Sequence, residues 1–151
     1  MNFAALFDQN GGEIDVQSGG TINFNKTGDA CTTDQTNTAF ITDDGSFVNF
    51  AGNFTCTGGN FAFANGCTTG FTGDATSHHT GGVIDYGGIV INAGVTFTIT
   101  DNIRLYNDWT NLGGTFVHGN RQVTFRGDIP VTITAASGET FYNLNVSRTG
   151  G

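Results

Sequence analysis

Residues 81–107 read GGVIDYGGIVINAGVTFTITDNIRLYN. Four short runs stand out in this stretch: VIDYG (83–87), IVINA (89–93), TFTIT (96–100) and IRLYN (103–107). In each, apolar residues recur with period two, the spacing that sends alternate side chains to opposite faces of an extended strand. Between the runs come Gly-Gly, Ala-Gly and Asp-Asn, residues that turn the chain tightly. A strand of about five residues, a tight turn and another strand is the pattern of one rung of a β-solenoid.

The same reading extends outward in both directions. Strands are expected at 13–17, 21–25, 39–43, 46–50, 53–57 and 60–64, and again at 115–119, 122–126, 131–135 and 141–147. A Gly-Gly pair followed by an apolar strand recurs as GGTINFN, GGNFAFA, GGVIDYG, GGIVINA and GGTFVHG, although at irregular intervals. No window carries a helical stripe. Residues 1–151 are therefore expected to form a single all-β domain, a β-solenoid with three strands per coil. At roughly 20 to 25 residues per coil this gives about six or seven coils. A β-sandwich is the alternative, but it usually needs longer strands and larger loops. Two polar, Cys-bearing segments, GDACTTDQTNT (28–38) and GCTTGFTGDATSHHT (66–80), read as surface loops.

Composition agrees and excludes several functions. The chain has 24 Gly, 14 Phe and 1 Pro, with aromatics at 12% and charged residues at only 12%. Thr, Val, Ile and Phe suit strands, and the aromatics set the chain apart from disordered Gly-rich sequences. A net charge of −8 with Lys and Arg totalling 5 leaves no basic stripe for nucleic acid or for an anionic membrane surface. No apolar run approaches the ~20 residues that span a bilayer, so membrane insertion is not expected. The opening MNFAALF is apolar but has no basic flank and is short for a signal peptide, so either a leader has been removed or the chain is part of something longer. The scarcity of Lys among so much Thr, Asn and Gly suits an extracellular or cell-surface bacterial protein.

The three cysteines allow at most one internal disulfide. Cys31 and Cys67 sit in similar turn-like contexts and form the expected pair. Cys56 alternates with Phe54 and reads as a buried small hydrophobe, with Cys56–Cys67 as the rival pairing. No cysteine pair has the short spacing of a zinc site.

The segment GGTFVHGNRQVTFRGDIPVTITAASGETFYNLNVSRTGG (113–151) resembles a β-repeat of very large secreted surface proteins of Bacteroidota. The likeness rests on Gly113 to Phe116, Val123 to Gly127, Val131 to Thr134 and Thr140 to Gly151, and does not extend over residues 1–112. Val117-His118 and Arg121 depart from the repeat, which tends to carry small polar residues there. The resemblance implies surface secretion, a β-helical repeat fold and a role in adhesion or extracellular structure, with no shared active site. It also implies that another strand follows the final TGG.

Candidate chemistry is sparse. Asp101, Arg104, Tyr106, Asp108 and Trp109 fall within DNIRLYNDW, a grouping that suits a glycan or a Ca²⁺ ion, with Tyr106 and Trp109 as the glycan-facing aromatics. The competing reading is an outer strand with Trp109 as a lid on the core. No other cofactor is implied and no residue set suggests catalysis. A polysaccharide lyase on a β-helix would need acids clustered with a Lys or Arg, and Lys26, Arg104, Arg121, Arg126 and Arg148 are scattered. Adjacent His78 and His79 point to opposite faces if they lie in a strand. His118 shares the face of Phe116.

The expected function follows from edges. A solenoid has an open row of backbone donors and acceptors at each end, and no helical cap is visible in the sequence. Phe3, Leu6 and Phe7 at one end, and Phe141, Leu144 and Val146 at the other, are the candidate subunit contacts. The chain is expected to be a non-catalytic structural protein that joins copies of itself end to end into a fibre or adhesin stalk. A carbohydrate-binding adhesion module is the alternative, and a polysaccharide-acting enzyme the remote one.

Overall fold

The structure, a computed structural model, describes residues 1–34, 38–58, 61–80 and 83–147. Every regular element among them is a strand, and every ladder is parallel. The first coil holds β1 (Asn2–Phe3), β2 (Phe7–Gln9) and β3 (Gly12–Val16), and the second holds β4 (Thr21–Phe24), β5 (Asp29–Asp34) and β6 (Thr38–Thr42). The third holds β7 (Phe47–Phe50), β8 (Asn53–Thr57) and β9 (Phe61–Ala62), and the fourth β10 (Thr68–Phe71), β11 (Ala75–Thr80) and β12 (Ile84–Tyr86). Next come β13 (Gly88–Ile91), β14 (Thr96–Ile99) and β15 (Ile103–Leu105), then β16 (Trp109–Asn111), β17 (Thr115–Val117) and β18 (Gln122–Arg126). The last coil carries β19 (Ile133–Ala135) and β20 (Asn143–Ser147).

Stacking these coils makes a three-sided β-solenoid. One face is the sheet β1-β4-β7-β10-β13-β16-β19 and a second is β2-β5-β8-β11-β14-β17. The third is built from two sheets, β3-β6 and β9-β12-β15-β18-β20. Along the first face Asn2, Asn23, Asn49, Gly70, Val90, Thr110 and Thr134 pair in turn, so one coil takes 20 to 26 residues. A sandwich is excluded, because each strand pairs with the equivalent strand one coil away.

Two of the expected loops are strands. Asp29–Asp34 lies between β2 and β8, and Thr68–Phe71 with Ala75–Thr80 fills two faces of the fourth coil. In β5 and β11 the inward positions hold Cys31, Thr33, Ala75, Ser77 and His79, all buried, so the apolar half of the alternation there is small or polar and hard to see. A parallel ladder on each side supplies the backbone hydrogen bonds that hold such strands, whatever their side chains. Residues 2–9, which the sequence left unassigned, are the first two strands of coil one.

The interior is a column of rings. Phe3, Phe24, Phe50 and Phe71 occupy one register position, with stacked centroids 5.5, 5.1 and 6.1 Å apart. The ~4.8 Å strand spacing sets these separations, close to the offset stacking that aromatic rings prefer. Phe71 then passes the column across to Phe97, and Phe97 to Phe116. On the outside of the first face runs a second ladder. Asn49 Nδ2 donates to Asn23 Oδ1 (2.8 Å) and Asn23 Nδ2 to Asn2 Oδ1 (2.6 Å). Gly70 follows Asn49 in register, and a Cβ there would collide with Asn49 Oδ1.

Candidate functional site

The expected aromatic pair at 106–109 is divided by the corner it sits on. Trp109 begins β16 with its ring inward and fully buried, stacked edge-on against Phe116 and Phe141. Its Nε1 donates to Glu139 Oε2 (2.9 Å), and Asn111 Nδ2 donates to the same oxygen (3.0 Å). Trp109 is therefore a core residue and cannot face a glycan, which corrects that half of the expectation. The reason is parity: Trp109 aligns with buried Ile89 below it. Tyr106, half-buried on the turn before β16, faces outward.

That turn belongs to the corner between the third and first faces. Most coils round it with several residues: 43–46, 63–67, 106–108 and 127–132. The coil between 63–67 and 106–108 uses Gly87 alone. A Cβ on Gly87 would collide with the carbonyl oxygens of Cys67 and Ala64, so the chain is drawn in against the turn beneath. The flanking turns stand proud of this step and enclose a groove of about 550 Å³. Asp44 and Asn65 line it from below, Tyr106, Arg126 and Asp128 from above, and Ser147 from the last coil. The Asp44 carboxylate accepts the Gly66 N–H at 2.7 Å, and the Tyr106 ring lies against Gly127, whose φ is +96°.

The remaining members of the 101–109 grouping point elsewhere. Arg104, outward on β15, makes a two-pronged pair with Asp85 on β12, with Nη2 2.6 Å from Oδ2 and Nε donating to Oδ1. The hydrogen bonds that it donates to Asp85 raise the guanidinium above its ordinary value. Asp101 sits at the end of the second face. His78 Nδ1, the Thr100 hydroxyl and the His79 N–H each approach its Oδ2 at 2.9 Å. Burial alone would raise this carboxyl, but the hydrogen bonds from His79, Thr100 and His78 outweigh it and hold the group below its ordinary value. His78 and His79 do face opposite ways: His78 is outward, while His79 is 2% exposed and stacks over Cys56. His118 lies partly exposed beside Tyr142, its Nδ1 accepting from Asn120 N. Among the described residues no group of three or more His, Cys, Asp or Glu is arranged to hold a metal ion.

Cys31, Cys56 and Cys67 are all free thiols and all buried, so the expected Cys31–Cys67 bridge is not formed. Cys31 points into the second face, whereas Cys67 closes a corner one coil higher beside Thr42 and Ser46. Burial pushes both thiols up, away from the reactive thiolate. The core also buries Tyr86, whose hydroxyl lies 2.7 Å from Ser77 Oγ, and burial raises that phenol as well.

The six candidate contact residues lie at opposite ends of the solenoid. Phe3 and Phe7 are half-buried against Phe24, and Leu6 is 46% exposed. Phe141 folds over Trp109 and Phe116 as a partial lid. Leu144 and Val146 align with Val123 and Phe125 of the coil beneath. Those two are 0% and 1% exposed, against 44% and 59% for Leu144 and Val146.

Comparison of the chain with protein-family models, with curated proteins and with solved structures gave no match.

Proposed function

We propose that this chain is a non-catalytic structural subunit of an extracellular or cell-surface fibre, joined head to tail through the two ends of its solenoid. The observation that carries the reading is the exposure of β20: among the described residues its core-facing Leu144 and Val146 have a coil below them and no strand paired above. Uncovered strand edges with apolar side chains recruit further strands. The opposite end offers what such an edge accepts. β1 and β3 present free edges, with Phe3, Phe7 and Met1 beside them. Because all ladders are parallel, β1 of one copy can add to β19 of another, and β3 to β20, without reversing direction. The contact is heterologous and does not close on itself, which yields a filament. The Thr- and Asn-rich, Lys-poor composition, and the likeness of 113–151 to a secreted surface repeat, support the location.

Electron microscopy and sedimentation at rising concentration test this. Filaments of uniform width are expected from the native chain, and monomers from the double variant Leu144→Asp, Val146→Asp with its β-sheet circular dichroism retained. A native chain that stays a monodisperse monomer at high concentration would sink the proposal.

A further inference from the structure

The groove over Gly87 has a chemistry that end-to-end assembly does not use. We infer that it binds a neutral polysaccharide, lying along the solenoid axis across the turns at 43–46, 63–67, 106–108 and 127–132. Three observations lead there. The groove is long and half open: these turns and the Gly87 step span five coils, about 20 Å at the strand spacing of the solenoid. That shape suits a stretch of polymer better than a compact metabolite, which pockets enclose.

Its lining pairs one aromatic ring with planar, forked hydrogen-bonding groups. Tyr106 offers a ring face for the C–H surface of a pyranose, and its position is fixed by contact with Gly127. Asn65 and Arg126 present forked amide and guanidinium groups at the spacing of vicinal hydroxyls, and Asp44, whose Oδ1 takes the Gly66 N–H, lines the groove beside them. Along the middle of this corner a peptide would find no strand edge to join, because β12, β15 and β18 before it and β7, β10, β13 and β16 after it are each paired on both sides.

Charge then selects within the class. Two carboxylates face one guanidinium in the groove, on a chain of net charge −8, so uronate or sulfated polymers are repelled and neutral ones are not. The inference stands apart from the fibre proposal, since neither Tyr106 nor Asn65 lies at an end of the solenoid.

Native affinity electrophoresis tests it, with xyloglucan, galactomannan and a soluble β-glucan in the gel and polygalacturonate as the anionic comparison. At least one neutral polymer should retard the native chain. Retardation should weaken about tenfold in Tyr106→Ala, the loss expected for ~1.4 kcal/mol of stacking and contact. Asn65→Met, an exposed position, fills the groove while removing forked hydrogen bonding, and should weaken binding as well. It alone decides the matter if Tyr106→Ala fails to fold. The inference is overturned if no neutral polymer retards the native chain, if polygalacturonate alone does so, or if the folded variants are retarded like the native chain.

Discussion

Asp101 shows how much a single side chain does at a corner of this fold. Its carboxylate gathers the His79 N–H, the Thr100 hydroxyl and His78 Nδ1, tying two successive coils where the second face ends. Its folded-state pKa lies below the ordinary 3.8, so the stability it adds is present above that value and is lost as pH falls through the folded one. Native protein should therefore lose more of its urea midpoint between pH 6 and pH 3 than Asp101→Asn does. Parallel losses in the two proteins would remove Asp101 from the account. The sequence placed Asp101 in a patch with Arg104, Tyr106 and Trp109, and only Tyr106 faces the groove. Spacing along the chain showed that these groups are near one another, but not which side of a corner each takes. A coil turns the chain within three residues there, and parity restarts after the turn. Trp109 went inward for that reason, and its partner Glu139 comes from the next coil, thirty positions away.

At the scale of elements, strands were legible where large apolar residues alternate with polar ones. NFTCT at 53–57 and QVTFR at 122–126 fall on β8 and β18 residue for residue. From the sequence β5 and β11 read as loops, because their inward residues are Cys31, Thr33, Ala75, Ser77 and His79. These strands follow the face-one strands that carry Phe24 and Phe71, so there the large rings of one face are met by small side chains from the next. A cross-section of fixed size requires that compensation. The ring column should then be costly to interrupt in its middle and cheap at its end. Phe50→Ala, which empties a fully buried site between Phe24 and Phe71, should cost about 3–5 kcal/mol of unfolding free energy. Phe3→Ala, half-buried in the first coil, should cost less than half as much by the same urea titration. Equal losses would mean that the rings do not act as a continuous column.

For the whole molecule, the coil was legible from recurrence, as Gly-Gly and apolar runs returning every few turns, although the intervals were too irregular to give a register. The structure supplies the cause of that irregularity: corners differ in length, from Gly87 alone to the six positions 127–132, while the strands between them stay aligned. The corners thus carry much of the length variation, beside one extra residue inside β5 where its register shifts between Asp29 and Cys31, and the groove is a product of it. One further consequence is mechanical. Every interstrand hydrogen bond lies along the long axis, so a pull between Met1 and Ser147 loads the coils in series rather than shearing them together. Rupture should proceed one coil at a time, each lengthening the tether by about 70–90 Å for its 20 to 26 residues. An optical trap would record this as a staircase of small, nearly equal steps, and a single step of the full contour length would contradict it. A fibre built of such coils yields gradually under tension, giving up length in instalments while the unpeeled remainder still holds.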